Sequence, residues 1–147
     1  MKAAQDGRIK DVRTLLQQGA DANFCNRSKW TPLHVAAMKA QTDVVSLLLE
    51  KGANLNARNT YGFTALHLAA KNDYTGLCAC FLIYAGCNVD SRNHFGRTAL
   101  HYAVESNNQA AVRALVVGGA RKGLRDHEGR APYDLAKTEV VKRFVRF

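Results

Sequence analysis

Three histidines recur along the chain at nearly constant spacing. His34, His67 and His101 lie 33 and 34 residues apart in a sequence of 147 residues. Imidazole binds metals and moves protons near neutral pH, so three converging histidines could form a metal or catalytic site. These three occupy the same place in a repeated motif, and equivalent positions of stacked repeats lie one layer apart. We therefore predict that the histidines are structural.

The sequence carries no motif typical of catalysis or of nucleotide binding. It contains no GxxxxGK(S/T), GxGxxG, HExxH or GxSxG pattern, which are the spacings that phosphate cradles, zinc proteases and serine hydrolases need. The sequence gives no reason to place a general base beside any of its serines. We predict that the protein is not an enzyme and holds no cofactor.

Four cysteines, Cys25, Cys78, Cys80 and Cys87, are the remaining residues with metal or redox chemistry. No CxxC pair occurs, and no cysteine has a histidine at zinc-finger spacing. Cys78 and Cys80 lie inside an apolar run, where cysteine behaves as a small hydrophobe. The pattern predicts four packed, reduced thiols without metal, which favours an intracellular compartment.

A longer repeat underlies the histidine spacing. Segments 31–34 (TPLH), 64–67 (TALH), 98–101 (TALH) and the degenerate 131–134 (APYD) begin 33, 34 and 33 residues apart. An independent glycine marker has the same steps, at Gly19, Gly52, Gly86 and Gly119. Two concordant markers indicate a true internal repeat, which is the signature of a stacked architecture.

Each repeat divides into two helices and a turn. The threonine of each motif suits a helix N-cap, and Pro32 suits the first helical position. We predict first helices over 32–39, 65–72 and 99–106 and second helices near 42–51, 75–85 and 109–118. Polar turns at 59–62, 93–96 and 126–129 join the units. One helix pair cannot bury its own apolar face, so the pairs must stack into a solenoid.

These motifs, with GA(D/N)xN segments at 19–23 and 52–56, resemble ankyrin repeats. The resemblance covers the whole chain as one domain, 1–147, with units at about 1–25, 26–58, 59–92, 93–125 and 126–147. It implies an all-α solenoid of helix–turn–helix units joined by β-hairpin-like turns. It also implies that the recurrent histidine bonds neighbouring backbone. Asn23 and Asn56 loosely fit the asparagine hydroxylation for which such repeats are known.

Departures from the repeat pattern predict local irregularities. Lys29 stands where later turns have glycine, so we expect the first turn to be distorted. The third unit has one extra residue between Thr75 and Gly86, which we place at the end of its second helix. Ile83 and Tyr84 then replace Glu50 and Lys51 of the preceding unit and are expected to rotate inward. The alternative is that they form a partner or self-association patch.

The net charge of +9 leaves an acidic protein or nucleic acid as possible partners. The excess lies toward both ends of the chain, whereas a phosphate-tracking surface needs a continuous stripe. Three arginines precede the turns, and we expect them to bond the adjacent turn: Arg58, Arg92 and Arg125. Nucleic-acid binding is therefore the lesser alternative.

The resemblance implies that partners bind the concave face, formed by the turns and the exposed side of the first helices. We call the corresponding residues the concave strip: Arg27, Trp30, Met38, Lys39, Tyr61, Phe63, Lys71, Asn72, His94, Phe95, Arg97, Glu105, His127 and Arg130. Its aromatic rings, Trp30, Tyr61, Phe63 and Phe95, are expected to be exposed, with packing on adjacent turns as the alternative for each of them. Aromatic and arginine side chains dominate interface hot spots.

We therefore expect a non-catalytic module, part of a larger chain, that binds a protein or peptide partner, and the net charge is compatible with an acidic one. The alternative is a free-standing inhibitor that masks the surface of an enzyme or transcription factor. No membrane insertion is expected, because the longest uncharged apolar run, 77–85, is well short of the ~18 residues of a spanning helix. We expect a monomeric, intracellular domain.

Overall fold

The computed structural model describes residues 1–147 as a stack of helix pairs without β-strands. The first helices of successive pairs form one layer and the second helices form the other. The α-helices are α1 Lys2–Gln5, α2 Ile9–Gln17, α3 Pro32–Met38, α4 Thr42–Glu50, α5 Ala65–Asn72, α6 Leu77–Tyr84, α7 Ala99–Glu105, α8 Gln109–Val117 and α9 Glu139–Val145. A 3₁₀ helix, Pro132–Leu135, takes the place of the last first-layer helix. The predicted all-α solenoid is confirmed.

The repeated Thr–His pair begins each complete first helix and joins it to the next unit. In α3 the Thr31 hydroxyl accepts from the His34 amide at 3.3 Å, and His34 Nδ1 accepts from the Thr31 amide at 3.1 Å. Because Nδ1 is an acceptor, the ring proton lies on Nε2, which donates to the Phe63 carbonyl at 2.8 Å. The rings of His67 and His101 make the same bonds one and two units later. The predicted structural role is confirmed.

The core lies between the two layers and follows the repeat. Alanines permit close approach of neighbouring first helices, and Ala36, Ala69 and Ala103 are completely buried. Large leucines from both layers fill the space between them: Leu33, Leu48, Leu66, Leu82, Leu100 and Leu115. Each leucine is less than 2% exposed, so each complete unit contributes to one continuous apolar core.

The extra residue of the third unit lies between its two helices, not at the end of the second one as predicted. The loop from Asp73 to Gly76 is longer than its counterparts, and α6 begins at Leu77. The buried Asp73 carboxylate holds this loop by accepting from the amides of Thr75 at 3.1 Å and Cys78 at 2.8 Å. An ionised carboxylate at a helix start is stabilising, so the longer loop has its own cap.

The expectation that Ile83 and Tyr84 face inward holds for Ile83 and is wrong for Tyr84. Counted back from the glycine after each second helix, Ile83 aligns with Leu49 and Tyr84 aligns with Glu50. Ile83 is half-buried against the core, as Leu49 is. Tyr84 is 94% exposed, because it occupies an outward position of α6.

The turn at Lys29 is not distorted, contrary to expectation. Lys29 donates its amide to the Asn26 carbonyl at 2.9 Å, the same distance as the Gly62 amide to Asn59 in the next turn. Lys29 achieves this with a φ of +59°, a conformation that L-residues avoid because Cβ approaches the following carbonyl. The first turn therefore keeps its shape and stores backbone strain.

We call the four turns the tips, residues 26–30, 59–63, 93–97 and 126–130. Each tip is closed by an Asn or Asp side chain that accepts two backbone amides; Asn59 accepts from Tyr61 and Phe63, both at 3.0 Å. Backbone bonds of 3.0 Å join successive tips, from His94 to the Tyr61 carbonyl and from His127 to the Phe95 carbonyl. The tips therefore form a continuous, rigid ladder.

The three arginines before the tips reinforce the ladder as predicted. Arg58 Nη2 donates to the Arg92 carbonyl at 2.7 Å, and Arg92 Nη2 donates to the Arg125 carbonyl. Arg125 Nη1 donates to the Gly129 carbonyl at 2.7 Å. These guanidinium groups are partly used in holding the turns.

Replacing Lys29 with glycine should stabilise the protein. Glycine removes the strain of the left-handed backbone conformation, which stabilises the folded state by about 1–2 kcal/mol. It also gives the unfolded chain more conformational freedom, which offsets about 0.4–1 kcal/mol of that gain. Urea unfolding should show a net gain of roughly 0.5–1 kcal/mol. The matched Gly62→Ala variant should lose stability, since its Cβ would lie 2.7 Å from Arg58 Nη2 and 2.8 Å from His94 Cδ2. Destabilisation by Lys29→Gly contradicts the strain argument.

Stability should fall as the pH drops from 7 to 4. Burial lowers the pKa of His34 and His101, and it lowers the pKa of His67 from 6.5 to about 4. Below pH 6.5 the unfolded chain binds protons that the folded ring does not, which favours unfolding. The contribution of the neutral rings to the free energy of unfolding is complete above pH 6.5 and is lost as the pH falls toward 4. His67 alone accounts for about 3 kcal/mol of it. A urea midpoint that stays constant over this range would show that the buried rings do not govern stability.

Candidate functional site

The concave strip is divided between exposed and half-buried side chains. The exposed members are Arg27, Lys39, Tyr61, Lys71, His94, Phe95 and His127. The half-buried members are Trp30, Met38, Phe63, Asn72, Arg97, Glu105 and Arg130. The first set lies free for a partner, whereas the second set supports the surface as well as forming part of it.

Tyr61 and Phe95 are the exposed aromatic residues of the strip. Their side chains are 61% and 52% exposed, although both residues are fixed in the tip ladder through their carbonyl groups. A fixed backbone with an exposed ring limits the conformational entropy that binding must remove. The structure therefore presents two preorganised aromatic groups on adjacent tips.

Trp30 and Phe63 are half-buried, so the expectation of exposed rings does not hold for them. Trp30 lies against the imidazole of His34 with ring centroids 5.8 Å apart, and Phe63 lies against His67 at the same distance. Phe63 also contacts the ring of Tyr102 at 5.3 Å. These rings cover the buried histidines and hold the tips in place.

Tyr102 is a component of this surface that the sequence analysis missed. It is only 6% exposed, and its hydroxyl accepts from Asn93 Nδ2 at 2.8 Å. The ammonium of Lys71 lies 6.0 Å from its ring centroid and the guanidinium of Arg97 lies 5.5 Å from it. Its position after the TALH motif, where the earlier units have aliphatic residues, was the available signal. Tyr102 forms the floor of the strip.

The arginines toward the C-terminal end of the strip are paired within the protein. Arg97 lies 2.9 Å from Glu105 and 3.3 Å from Asp126. Arg130 lies 3.0 Å from Asp126 and 2.6 Å from Glu128. Burial alone raises the pKa of Asp126, but hydrogen bonds from the amide and guanidinium of Arg130 outweigh it and lower the pKa to about 2. Arg97 is therefore not the free steering charge that its sequence position suggests.

The free positive charge of the strip lies in its N-terminal half. Arg27, Lys39 and Lys71 are exposed and form no ion pair with any carboxylate of the chain. The electrostatic field that a partner meets is therefore set by these groups rather than by the total charge.

The cysteines differ in accessibility. Cys78 is buried and Cys87 is half-buried, and burial raises the pKa of these thiols to about 12 and about 11. Cys25 and Cys80 are exposed, so the expectation of four packed thiols is wrong for these two. Cys80 faces outward because only one side of α6 contacts the core. No three His, Cys, Asp or Glu side chains are grouped to hold a metal ion.

Asn23 bridges two units, since its amide group donates to the Gly52 carbonyl at 3.1 Å and accepts from the Asn54 amide at 2.6 Å. Asn56 accepts from the Asn88 amide at 2.9 Å. Both side chains thus have a structural role, and their modification stays a prediction.

None of the helices combines the length and the apolar character that crossing a bilayer requires.

Comparison with known proteins agrees with this architecture. A family model described as ankyrin repeats, in three copies, matches residues 1–92 and again residues 74–145. The chain belongs to the ankyrin-repeat family. Ankyrin repeats are in general non-catalytic modules of protein–protein interaction, so the fold and the class of function agree with the sequence analysis.

One curated relative shares a short stretch with this ankyrin domain. Over 48 residues the chain is 46% identical to the 2-5A-dependent ribonuclease of Mus musculus. The match covers 32% of this chain and only 6% of the ribonuclease. It is similarity between a small part of a large enzyme and one third of this domain.

Removing Arg97 should destabilise the domain, whereas removing Lys71 should not. Arg97→Ala leaves the buried Asp126 with one fewer cation and exposes the Tyr102 ring, at a cost of about 2–3 kcal/mol. Lys71→Ala removes an exposed amine and should cost less than about 0.5–1 kcal/mol. Urea unfolding of the two variants provides the comparison. Equal losses would show that Arg97 is not part of the supporting network.

Proposed function

We propose that this ankyrin domain binds a protein or peptide through its concave strip. The observation that carries the proposal is the pair of exposed rings, Tyr61 and Phe95, on tips whose backbone is already fixed. Truncation of central aromatic contacts commonly costs about 2 kcal/mol or more in affinity. The Phe95 ring lies against Phe63 with centroids 6.4 Å apart, but about half of Phe95 and more than half of Tyr61 remain exposed, so both rings are available to a partner.

The charges of the strip favour an acidic partner segment that also carries apolar side chains. Its carboxylates would lie beside Arg27, Lys39 and Lys71, which have no ion-pair partner in the domain. Its apolar residues would contact Tyr61 and Phe95. Unpaired cations at the edge of an interface raise the association rate more than the affinity, so the rings supply most of the binding energy.

We infer that the domain acts as a recognition module within a larger chain. The stretch shared with the ribonuclease supports this, since it is a small fraction of a long protein. A free-standing inhibitor that masks an enzyme or transcription factor surface is the alternative, and full-length expression with tandem mass spectrometry distinguishes the two. All four cysteines are free, and unpaired cysteines are typical of reducing compartments, which supports an intracellular location.

Nucleic acid is the weaker alternative ligand. A phosphate-tracking surface needs consecutive free cations, but Arg97 and Arg130 are neutralised by carboxylates, and Arg58 and Arg92 bond backbone carbonyls. A mobility-shift titration at two salt concentrations tests this alternative. A steep loss of binding with salt would favour it over a peptide ligand.

Replacing both Tyr61 and Phe95 with alanine should abolish partner binding without unfolding the domain. The immobilised 147-residue chain is used to select peptides and to capture proteins, and each ligand is then titrated against wild type and variant. We expect at least about a 30-fold loss of affinity for each ring removed, with an unchanged circular dichroism melt.

The matched control is Arg13→Ala, an exposed side chain on α2 in the layer of second helices, which should bind as wild type does. Slower association with the Lys39→Glu variant would identify the acidic segment. If ligands are lost from Arg13→Ala but kept by the tip variant, the concave assignment is wrong.

A further inference from the structure

The outer side of α6 is an unbroken apolar surface. Leu77 is 51% exposed, Phe81 40% and Tyr84 94%, and Cys80 between them is also exposed. These residues follow one another at three- to four-residue intervals, so they share one side of the helix. We call Leu77, Cys80, Phe81 and Tyr84 the outer stripe. It lies in the layer of second helices, away from the tips that carry the concave strip.

The neighbouring second helices carry opposite charges at the equivalent outward positions. Aligned on the glycine after each helix, Leu77 and Tyr84 correspond to Asp43 and Glu50 of α4, whereas Cys80 corresponds to Arg113 of α8. All three charged residues are exposed. Asp43 and Arg113 form no ion pair, and Glu50 reaches only Lys51 at 3.9 Å. Across three adjacent helices the outer face therefore carries two carboxylates on α4, apolar side chains on α6, and a single arginine between Ala110 and Val117 on α8.

We propose that the outer stripe binds a second copy of this chain, with a two-fold axis parallel to α6. A two-fold interface places the same patch on both subunits, so the patch must complement itself. With this axis the two α6 helices lie parallel and each apolar residue meets its counterpart. Each α4 then faces α8 of the other copy. Along the helix axis, the partner's Arg113 lies between the levels of Asp43 and Glu50.

The charge order excludes the antiparallel alternative. The antiparallel arrangement has a two-fold axis that lies in the plane of the interface and is perpendicular to the helices. This axis places α4 over α4 and α8 over α8. Asp43 and Glu50 then face carboxylates of the other copy, and Arg113 faces the same arginine. Like charges across an interface cost several kcal/mol. In the parallel arrangement the apolar residues of α6 meet one another, and Arg113 faces the acidic helix α4 of the other copy and not a like charge.

The size of the surface agrees with a dimer contact. An aromatic side chain offers about 150–250 Å², and the stripe is extended by Tyr74, 65% exposed, and Val117, 89% exposed. Monomeric proteins rarely expose apolar patches of more than roughly 300–600 Å². A standard interface buries roughly 800 Å² per partner, so a dimer through the outer stripe also needs contacts from α4 and α8. The proposed dimer departs from the monomer that the sequence analysis expected.

Sedimentation of the full chain tests the dimer. We expect a concentration-dependent dimer for the wild type and a monomer for Tyr84→Asp. The Tyr84 side chain is exposed, so this substitution should not disturb folding. Tyr61→Asp is the matched control, a tyrosine on the concave strip, and should remain dimeric. A wild-type chain that stays monomeric at roughly 0.1 mM, where a micromolar dimer is well populated, overturns the proposal. A dimer that Tyr84→Asp leaves intact also overturns it.

Cysteine cross-linking tests the direction of the helices. In a Cys25→Ser background, copper phenanthroline should join the chains through Cys80, and Cys80→Ser should abolish the product. Without Cys80, the Tyr84→Cys variant should cross-link to itself in a parallel dimer. Cross-linking of Leu77→Cys only with Tyr84→Cys would indicate antiparallel helices and overturn the proposed axis.

Charge reversal tests the matched rows. Arg113→Glu should weaken the dimer roughly tenfold, because symmetry removes two contacts at once. Adding Glu50→Arg to that variant should restore the dimer. Arg113 also lies 5.0 Å from the Phe144 ring, so thermal melts of both variants separate a loss of association from a loss of stability. No restoration by the second change contradicts the placement of α4 over α8. Because the concave strip is not involved, loss of the dimer and loss of partner binding are distinguishable.

Discussion

The architecture depends on a hydrogen bond from a buried, neutral histidine to the backbone of the next unit. In a solenoid each unit contacts only its neighbours, so order must pass from one unit to the next. His34, His67 and His101 provide this link, since Nδ1 accepts from the start of one helix and Nε2 donates to the following tip. Burial keeps the rings uncharged, and both nitrogens are satisfied, so the link is specific in direction and distance. The positions of Tyr61 and Phe95 follow from it.

The net charge of +9 does not describe the charge that the surface of this protein presents to a partner. Asp126, whose side chain is 1% exposed, is shared by Arg97 and Arg130, so the C-terminal half of the concave strip presents little free charge. Arg58, Arg92 and Arg125 are engaged with turn carbonyls. The field available to a partner comes from the N-terminal half, where the lysines extend into solvent. A count of basic residues overstates the long-range attraction that the surface exerts.

The two faces of the domain differ in their physical character. The concave strip is rigid, polar at its edges and held by hydrogen bonds, whereas the outer stripe is apolar and largely exposed to solvent. A symmetric pair joined through the outer stripe would leave both concave strips facing outward. Two linked strips bind a multivalent partner with an effective concentration set by their spacing, so the second surface would increase the avidity of the first.

The periodic features of this protein were determined by the sequence. The repeat, the helix bounds to within a few residues, the threonine caps, the histidine links and the arginine bonds follow from residues at fixed local spacing or one repeat apart. Such contacts recur identically in every unit, and local rules of capping and periodicity therefore predict them. Exposure of Tyr61 and Phe95 followed from their place on the tips for the same reason.

Only the tertiary structure decided the features that differ between units. Lys29 keeps a glycine-like turn because the bonds of the surrounding tip outweigh its strain. The extra residue lies before α6 because the Asp73 carboxylate caps the longer loop, which leaves Tyr84 facing outward. The fate of Arg97 depends on two carboxylates, one of them 29 residues away, and the exposure of Cys80 depends on which side of α6 the neighbours cover. Burial and pairing are properties of the assembled stack, since they are set by what lies on adjacent units rather than by the residue or its repeat position.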